Sequence, residues 1–205
     1  MTDLFPRGRL LVFCKAPRPG SVKTRLIPAL GAVGAAELHR ELATGVLHMV
    51  QQAHLAPVQL WCAPDTTDSF FTATGLPLYC QQGEDLGARM AHAFATALAD
   101  PAVDYALLIG TDCANLDVAY LQAAFQQLQA ADAVLGPAED GGYGLIGLRQ
   151  AAPAVFRNIA WSTDTVCAAT AAHLNRVYRH WALLPLLWDV DRPDDLARLM
   201  SMGRR

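Results

Sequence analysis

The sequence predicts a layered α/β fold with a mainly parallel sheet, and three observations lead there. Short strand-like runs alternate with longer segments of helical periodicity along the chain. Several of these runs are apolar throughout, as strands covered on both faces are. The 205 residues, 53% hydrophobic and 17% charged, fit one domain with ample material for a core.

The elements follow in order. Leu10–Cys14 is an apolar run that reads as a buried first strand. A helix is expected from about Ala35 to Ala53, where Leu38, Leu42, Val46, Met49 and Ala53 keep one face apolar. Val58–Cys62 is the next strand, Thr67–Thr72 a short helix, and Leu76–Gln81 a third strand. Leu86 to Leu98 reads as helix, and Tyr105–Ile109 as a strongly apolar strand ending in Gly110-Thr111-Asp112. In Val118–Ala131 the spacing of Leu121, Ala124, Phe125 and Leu128 is helical, with Asp117 as its cap. Ala133–Gly136 and Tyr143–Leu148 are short strands around the turn Glu139-Asp140-Gly141-Gly142. A helix is expected from Ser162 to Leu174, capped by Ser162 or Thr163, and Arg192-Pro193 opens a last one. The apolar residues of Trp181–Trp188 are expected in the core.

Composition narrows the function. A net charge of −3, with no basic tail and no stripe of Arg and aromatic residues, lacks the footprint of nucleic-acid binding. The apolar runs fall well short of the roughly 20 residues of a membrane span. The amino terminus makes a poor signal peptide, so a soluble, cytoplasmic protein is expected. The five cysteines are isolated, with no CxxC, and the six histidines form no HExxH. Free thiols are therefore expected, and no histidine-based metal centre.

Three segments that follow strands carry the candidate chemistry. The first is Lys15-Ala16-Pro17-Arg18-Pro19-Gly20-Ser21-Val22-Lys23-Thr24-Arg25, a cationic loop where open parallel sheets bind ligands. Gly20 permits close backbone approach, while Lys23 and Arg25 suit phosphate oxygens. The loop is neither a GxxxxGK[ST] nor a GxGxxG motif. The second is Thr111-Asp112-Cys113, whose carboxylate could hold Mg²⁺ or Mn²⁺ or could cap the following turn. The third is Glu139-Asp140-Gly141-Gly142-Tyr143, an ordinary turn flanked by an acid and an aromatic. Beyond it, Trp161, Ser162 and Thr163 suit stacking on a sugar, or a cap beside a core Trp. Asp189 and Asp191 bracket a strand end; Asp191 could cap the last helix or complete a metal site with Asp112.

In order, KAPRPGSVKTRL, Gly83-Glu84-Asp85-Leu86-Gly87-Ala88-Arg89, IGTDC, LGPAEDGGYGLIGL, Trp161-Ser162-Thr163 and DVDRPDDL resemble one bacterial family. It consists of small glycosyltransferase-like GT-A proteins of the nucleotide-diphospho-sugar transferase superfamily, some of them associated with arsenosugar biosynthesis. The resemblance runs from about Leu10 to Leu199. It implies a Rossmann-like GT-A fold, three layers of α/β/α, with nucleotide bound at the first loop and a divalent metal at the strand-end acid. By motif, Lys15, Gly20, Lys23 and Arg25 would bind the nucleotide, and Leu86, Gly87 and Arg89 would line its base or phosphates. Lys23 and Arg25 would also act in catalysis. Asp112 and Asp191 would be metal ligands. Asp140 would be the candidate general base and, with Gly141, Gly142, Tyr143, Trp161, Ser162 and Thr163, would face sugar or acceptor.

Two departures from the family pattern stand out. Ala114 replaces the usual proline, which should relax the backbone after Asp112, and Gly144 replaces a bulky aromatic, which should open the sugar or acceptor pocket. The resemblance implies a metal-dependent transferase that takes a nucleotide sugar and a small-molecule acceptor. A second reading is a nucleotidyltransferase using a nucleoside triphosphate, since phospholactate guanylyltransferase and molybdopterin guanylyltransferase-like proteins are similar. A third is a non-catalytic nucleotide-binding module.

Overall fold

The computed structural model describes residues 2–202. Seven strands form one sheet in the order β3-β2-β1-β4-β6-β5-β7. They are β1 (Gly8–Lys15), β2 (Val58–Ala63), β3 (Leu78–Cys80), β4 (Tyr105–Ile109), β5 (Ala133–Pro137), β6 (Tyr143–Leu148) and β7 (Trp181–Leu183). All run parallel except β6, which pairs antiparallel with both β4 and β5. The helices are α1 (Ile27–Ala53), α2 (Ser69–Thr72), α3 (Leu86–Leu98), α4 (Val118–Ala130), α5 (Val166–Val177) and α6 (Pro193–Met202).

The alternation of side chains along β1 explains the three layers. Leu10 and Val12 face one side with α1 and α4, where Val46, Leu47, Val50, Leu121, Phe125 and Leu128 are buried. Leu11 and Phe13 face the other with α3 and α5, against Met90, Phe94 and Leu174. Fully burying a Leu or Phe stabilises by about 1.5–3 kcal/mol, so these two faces supply most of the driving force. A third, smaller cluster joins Leu26 and Ala35 to Trp188 and Val190, with Leu196 and Leu199 of α6 packed on it.

Several boundaries differ from the sequence reading for local reasons. Helical character begins at Ile27, ahead of the amphipathic stripe, but Gly31 (φ 70°, ψ 166°) breaks α1 after its first turn. Ser162 lies in the left-handed region at φ 67°, so α5 cannot begin there; it begins at Val166 after Thr165. The Thr163 hydroxyl instead donates to the Ala160 carbonyl at 2.7 Å. Asp117 does cap α4, accepting from the Tyr120 amide at 2.7 Å, and Asp85 caps α3 through Ala88 in the same way. In Trp181–Trp188, Leu184, Leu187 and Trp188 are buried, but Leu183 and Leu186 face solvent. All five cysteines are free thiols. No helix among the described residues is long and apolar enough to cross a membrane.

The reversed strand shapes the carboxyl edge of the sheet. Because β6 runs against its neighbours, its beginning rather than its end lies at the carboxyl edge of the sheet. The turn 138–142 therefore sits on the same edge as the loop after β1 and the end of β4.

Candidate functional site

At that edge the chain zips distant segments together through main-chain bonds. The Val190 amide donates to the Asp112 carbonyl (3.0 Å), Ala114 to Trp188 (3.2 Å), and Cys113 and Asp189 form an antiparallel bridge. Glu139 donates to the Leu187 carbonyl (3.0 Å), which ties the 138–142 turn to the same stretch. Asp112, Asp189 and Asp191 thus lie on adjoining segments, although about 80 residues of sequence separate the first from the others. The expected loosening at Ala114 does not occur: its N–H makes a ladder bond that proline could not make. The space at Gly144 is filled as well, because a Cβ there would fall 2.4 Å from Cys113 Sγ and 2.8 Å from Leu187 Cδ1. The departure from an aromatic therefore opens no pocket.

Lys23 enters this edge from the first loop. Its backbone is left-handed (φ 47°, ψ 41°), an uncommon state for a residue with a Cβ. Its side chain is 3% exposed, and Nζ lies 2.7 Å from Asp112 Oδ1. Buried Val22 and Leu26 flank it and pin the loop to the core. His39 stands behind the pair, with Nε2 2.9 Å from the Lys15 carbonyl and Nδ1 3.7 Å from Asp112 Oδ1. Arg25 and Asp191 form a second ion pair alongside. The two predicted phosphate-binding cations are thus paired with the two predicted metal-binding acids.

The acids are electrostatically unequal. Burial alone would push the Asp112 carboxyl up, but the His39 ring and the Lys23 ammonium reverse this and hold it well below the usual carboxylate range. By geometry the ammonium is the stronger of the two, since His39 is beyond ordinary hydrogen-bond length. Asp112 Oδ1 is sealed from solvent, yet the side chain as a whole is 46% exposed. Its carboxylate therefore presents an open side. At Asp189, burial and then the charges of Asp140 and Asp191 raise the carboxyl to about 6. Negative charge is left uncompensated there. Hard oxygen donors with surplus negative charge fit a divalent cation such as Mg²⁺ or Mn²⁺. Among the described residues, no three His, Cys, Asp or Glu side chains form a ready-made metal cage. Mg²⁺ sites commonly use one or two carboxylates plus substrate phosphates, so a partial set is compatible.

The remaining predicted residues fall into three places. Lys15 and Arg89 line a cleft of about 330 Å³ at the ends of β1 and β2, together with Arg18, Ser21 and Gln81. Arg18 pairs with Asp65 and Asp68, while Lys15 has no ion pair among the described residues. Gly20 has the left-handed φ of 82° that the loop requires, with open space beside it. A slightly larger hollow, about 370 Å³ near Val50, His54 and Leu76, lies at the opposite end of β2 and holds none of the predicted residues.

Leu86 is exposed at the start of α3, whereas Gly87 is covered: a Cβ there would strike the Trp161 ring and the Phe156 carbonyl, both at 2.6 Å. Trp161 thus packs on α3. Asp140 folds back to accept from the Gly142 amide at 2.8 Å. Gly141 (φ 85°) abuts Asp164, whose carbonyl would lie 2.1 Å from any Cβ, so the turn and the 161–165 loop are brought together. Tyr143 turns inward, its hydroxyl 3.7 Å from Met90 Sδ and its acidity suppressed by burial.

Sequence reasoning passes over His39 and names Asp189 without a role. His39 interrupts the buried face of α1 between Ala35 and Ala43, and a polar residue in an apolar stripe was its signal. Asp189 stands out in the sequence only as an acid bracketing a strand end with Asp191.

This sheet, mostly parallel with one reversed strand and flanked by helices, has the nucleotide-diphospho-sugar transferase fold. The chain belongs to the family described as "Uncharacterized protein conserved in bacteria (DUF2064)", which matches residues 46–163. It is 34% identical to a "putative nucleotide-diphospho-sugar transferase" from Desulfovibrio desulfuricans G20, covering 98% of this chain and 89% of that one with a TM-score of 0.89. A CMP:2-keto-3-deoxy-manno-octonic acid synthetase solved with CTP shares the fold at 10% identity, 97% and 98% coverage and TM-score 0.62. So does glucosyl-3-phosphoglycerate synthase from Mycobacterium tuberculosis, solved with Mn²⁺, UDP and glucosyl-3-phosphoglycerate. It is 10% identical, with 96% and 76% coverage and a TM-score of 0.57. Among curated proteins no match was found.

Proposed function

We propose that the protein is a metal-dependent transferase that takes a nucleotide-diphospho-sugar and passes the sugar to a small-molecule acceptor. The observation that carries this reading is the meeting of Lys23, Arg25, Asp112, Asp189 and Asp191 at the carboxyl edge of the sheet. Lys15 and Arg89, in the cleft beside it, would hold the nucleotide's phosphates, and Gly20 lets the backbone approach them. Asp112 and Asp191, joined by Asp189, would hold Mg²⁺ or Mn²⁺. When bound, such a cation stabilises negative charge on the departing diphosphate. Lys23 and Arg25 act on the same charge, and preorganised cations of this kind supply much of the barrier reduction in phosphate-leaving reactions.

Asp140, held at the turn by Gly142, is the candidate base for the acceptor hydroxyl. Gly141, Ser162 and Thr163 would form the wall of the sugar side. Trp161 and Tyr143 contribute by packing, with Leu86 and Gly87 fixing the start of α3. Likeness to a CTP-using synthetase supports a second reading, nucleotidyl transfer from a nucleoside triphosphate with release of pyrophosphate.

Phosphorus NMR with Mg²⁺, a panel of nucleotide sugars and nucleoside triphosphates, and simple hydroxyl, sugar-phosphate and phospho-acid acceptors separates the two. Nucleoside diphosphate released from one nucleotide sugar, and lost in Asp112→Ala, is the expected result. Pyrophosphate released from one triphosphate would replace it with nucleotidyl transfer.

A further inference from the structure

Building on the metal reading above, we propose that Lys23 is a displaceable counter-ion. In the free protein it neutralises Asp112 and weakens metal binding there; the phosphates of an incoming nucleotide draw it off, so that metal and nucleotide bind as a coupled pair.

The side chain is suited to this exchange. Lys23 is 3% exposed, and Asp112 is its only ion-pair partner among the described residues. The backbone around it is held by buried Val22 and Leu26 and by the Leu26 amide bond to the Lys23 carbonyl at 2.8 Å. Movement is therefore left to the four-carbon side chain, a flexible stem carrying a compact charge. The ammonium occupies Oδ1 of Asp112, and the rest of that carboxylate is the open side a cation would meet. A divalent cation there would stand within a few ångströms of a fixed positive charge in a partly desolvated site, where like-charge repulsion is strong. Asp189 and Asp140, by contrast, have no ion-pair partner among the described residues, and their negative charge attracts a cation to the same edge. Arg25 is paired with Asp191 and adds a second positive group facing that cation. Anionic phosphate at the edge offers Lys23 a new partner and removes the repulsion in one movement.

The sequence makes the movement observable, since Lys15 and Lys23 are its only lysines. Mn²⁺ alone, titrated by electron paramagnetic resonance, is expected to bind Lys23→Met about tenfold or more tighter than the wild type. The gain should vanish in Lys23→Met/Asp112→Asn. Equal affinity in wild type and Lys23→Met, or a gain that survives Asp112→Asn, would overturn the proposal. If Asp112→Asn still lowers wild-type Mn²⁺ affinity, the metal site itself stands; if Mn²⁺ binds none of the variants, the metal reading falls with it. Should Lys23→Met fail to fold, wild-type protein labelled with ¹⁵Nζ-lysine decides the matter. Its Lys23 ammonium signal should shift on adding inorganic pyrophosphate with Mg²⁺, and an unmoved signal at saturation would overturn the proposal.

Discussion

Asp189→Asn should make the protein more stable at neutral pH, and the structure sets both the size and the window of the effect. Burial, Asp140 and Asp191 raise the Asp189 carboxyl to about 6, so the folded state holds this proton more tightly than the unfolded chain does. The sign follows by linkage. Below about pH 4 both states are protonated, and the side chain makes no difference between wild type and variant. Between about pH 4 and 6 only the folded state keeps the proton, so wild-type stability falls as pH rises; above 6 the full cost is present. That cost is about 3 kcal/mol as an upper bound, and about 1–3 kcal/mol once solvent access to a partly buried group is allowed for.

Urea denaturation of both proteins from pH 3.5 to 8 measures it. The curves should meet at the acid end and diverge through pH 4–6. Mg²⁺ at pH 7 should then stabilise the wild type more than the variant. Parallel curves across the whole range would refute the reasoning, because they would mean that Asp189 titrates in the fold as it does in the unfolded chain.

Other perturbations test separate parts of the structure. Asp112→Asn leaves Lys23 buried without its partner and should destabilise by about 2 kcal/mol in urea, less than the roughly 3–5 kcal/mol of a fully buried pair because the carboxylate is partly exposed. Gly141→Ala places a Cβ 2.1 Å from the Asp164 carbonyl at φ 85°, and a loss of about 3 kcal/mol by thermal denaturation is expected, with a lower kcat/KM on any substrate found. Asp117→Ala removes the cap of α4 and should cost about 1 kcal/mol in urea, leaving turnover unchanged because it lies outside the site.

What the sequence revealed and what it hid have physical causes. Tyr105–Ile109, Leu86–Leu98 and Tyr143–Leu148 were read with their observed bounds because burial imposes an unbroken apolar run or a period of 3.6 on those residues. The start of α5 lies four residues later than the sequence suggests, because a Ser-Thr pair resembles a cap, whereas the left-handed turn at Ser162 has no signature outside glycine. The two departures, Ala114 and Gly144, look like losses in the sequence. They are explained only by partners far along the chain: the Trp188 carbonyl for one, Cys113 and Leu187 for the other. Asp189 has no assigned role in the sequence for the same reason, since burial and the approach of Asp140 set it apart from Asp191 only once the fold has formed. The sequence marks Lys23 as a phosphate-binding cation, but no local pattern announces that its side chain is buried against Asp112.

The zipping of residues 112–114 to 188–190, and of Arg25 to Asp191, has a consequence for how the protein is made. Chains emerge from the ribosome at about 5–20 residues per second, amino end first, and the first loop waits many seconds for its last partners. Nothing that depends on Asp191 can form until residue 191 itself has left the ribosome, long after the first loop. A ligand held at this edge therefore binds only chains in which the two segments have met, and by mass action it adds its binding free energy to that paired state alone.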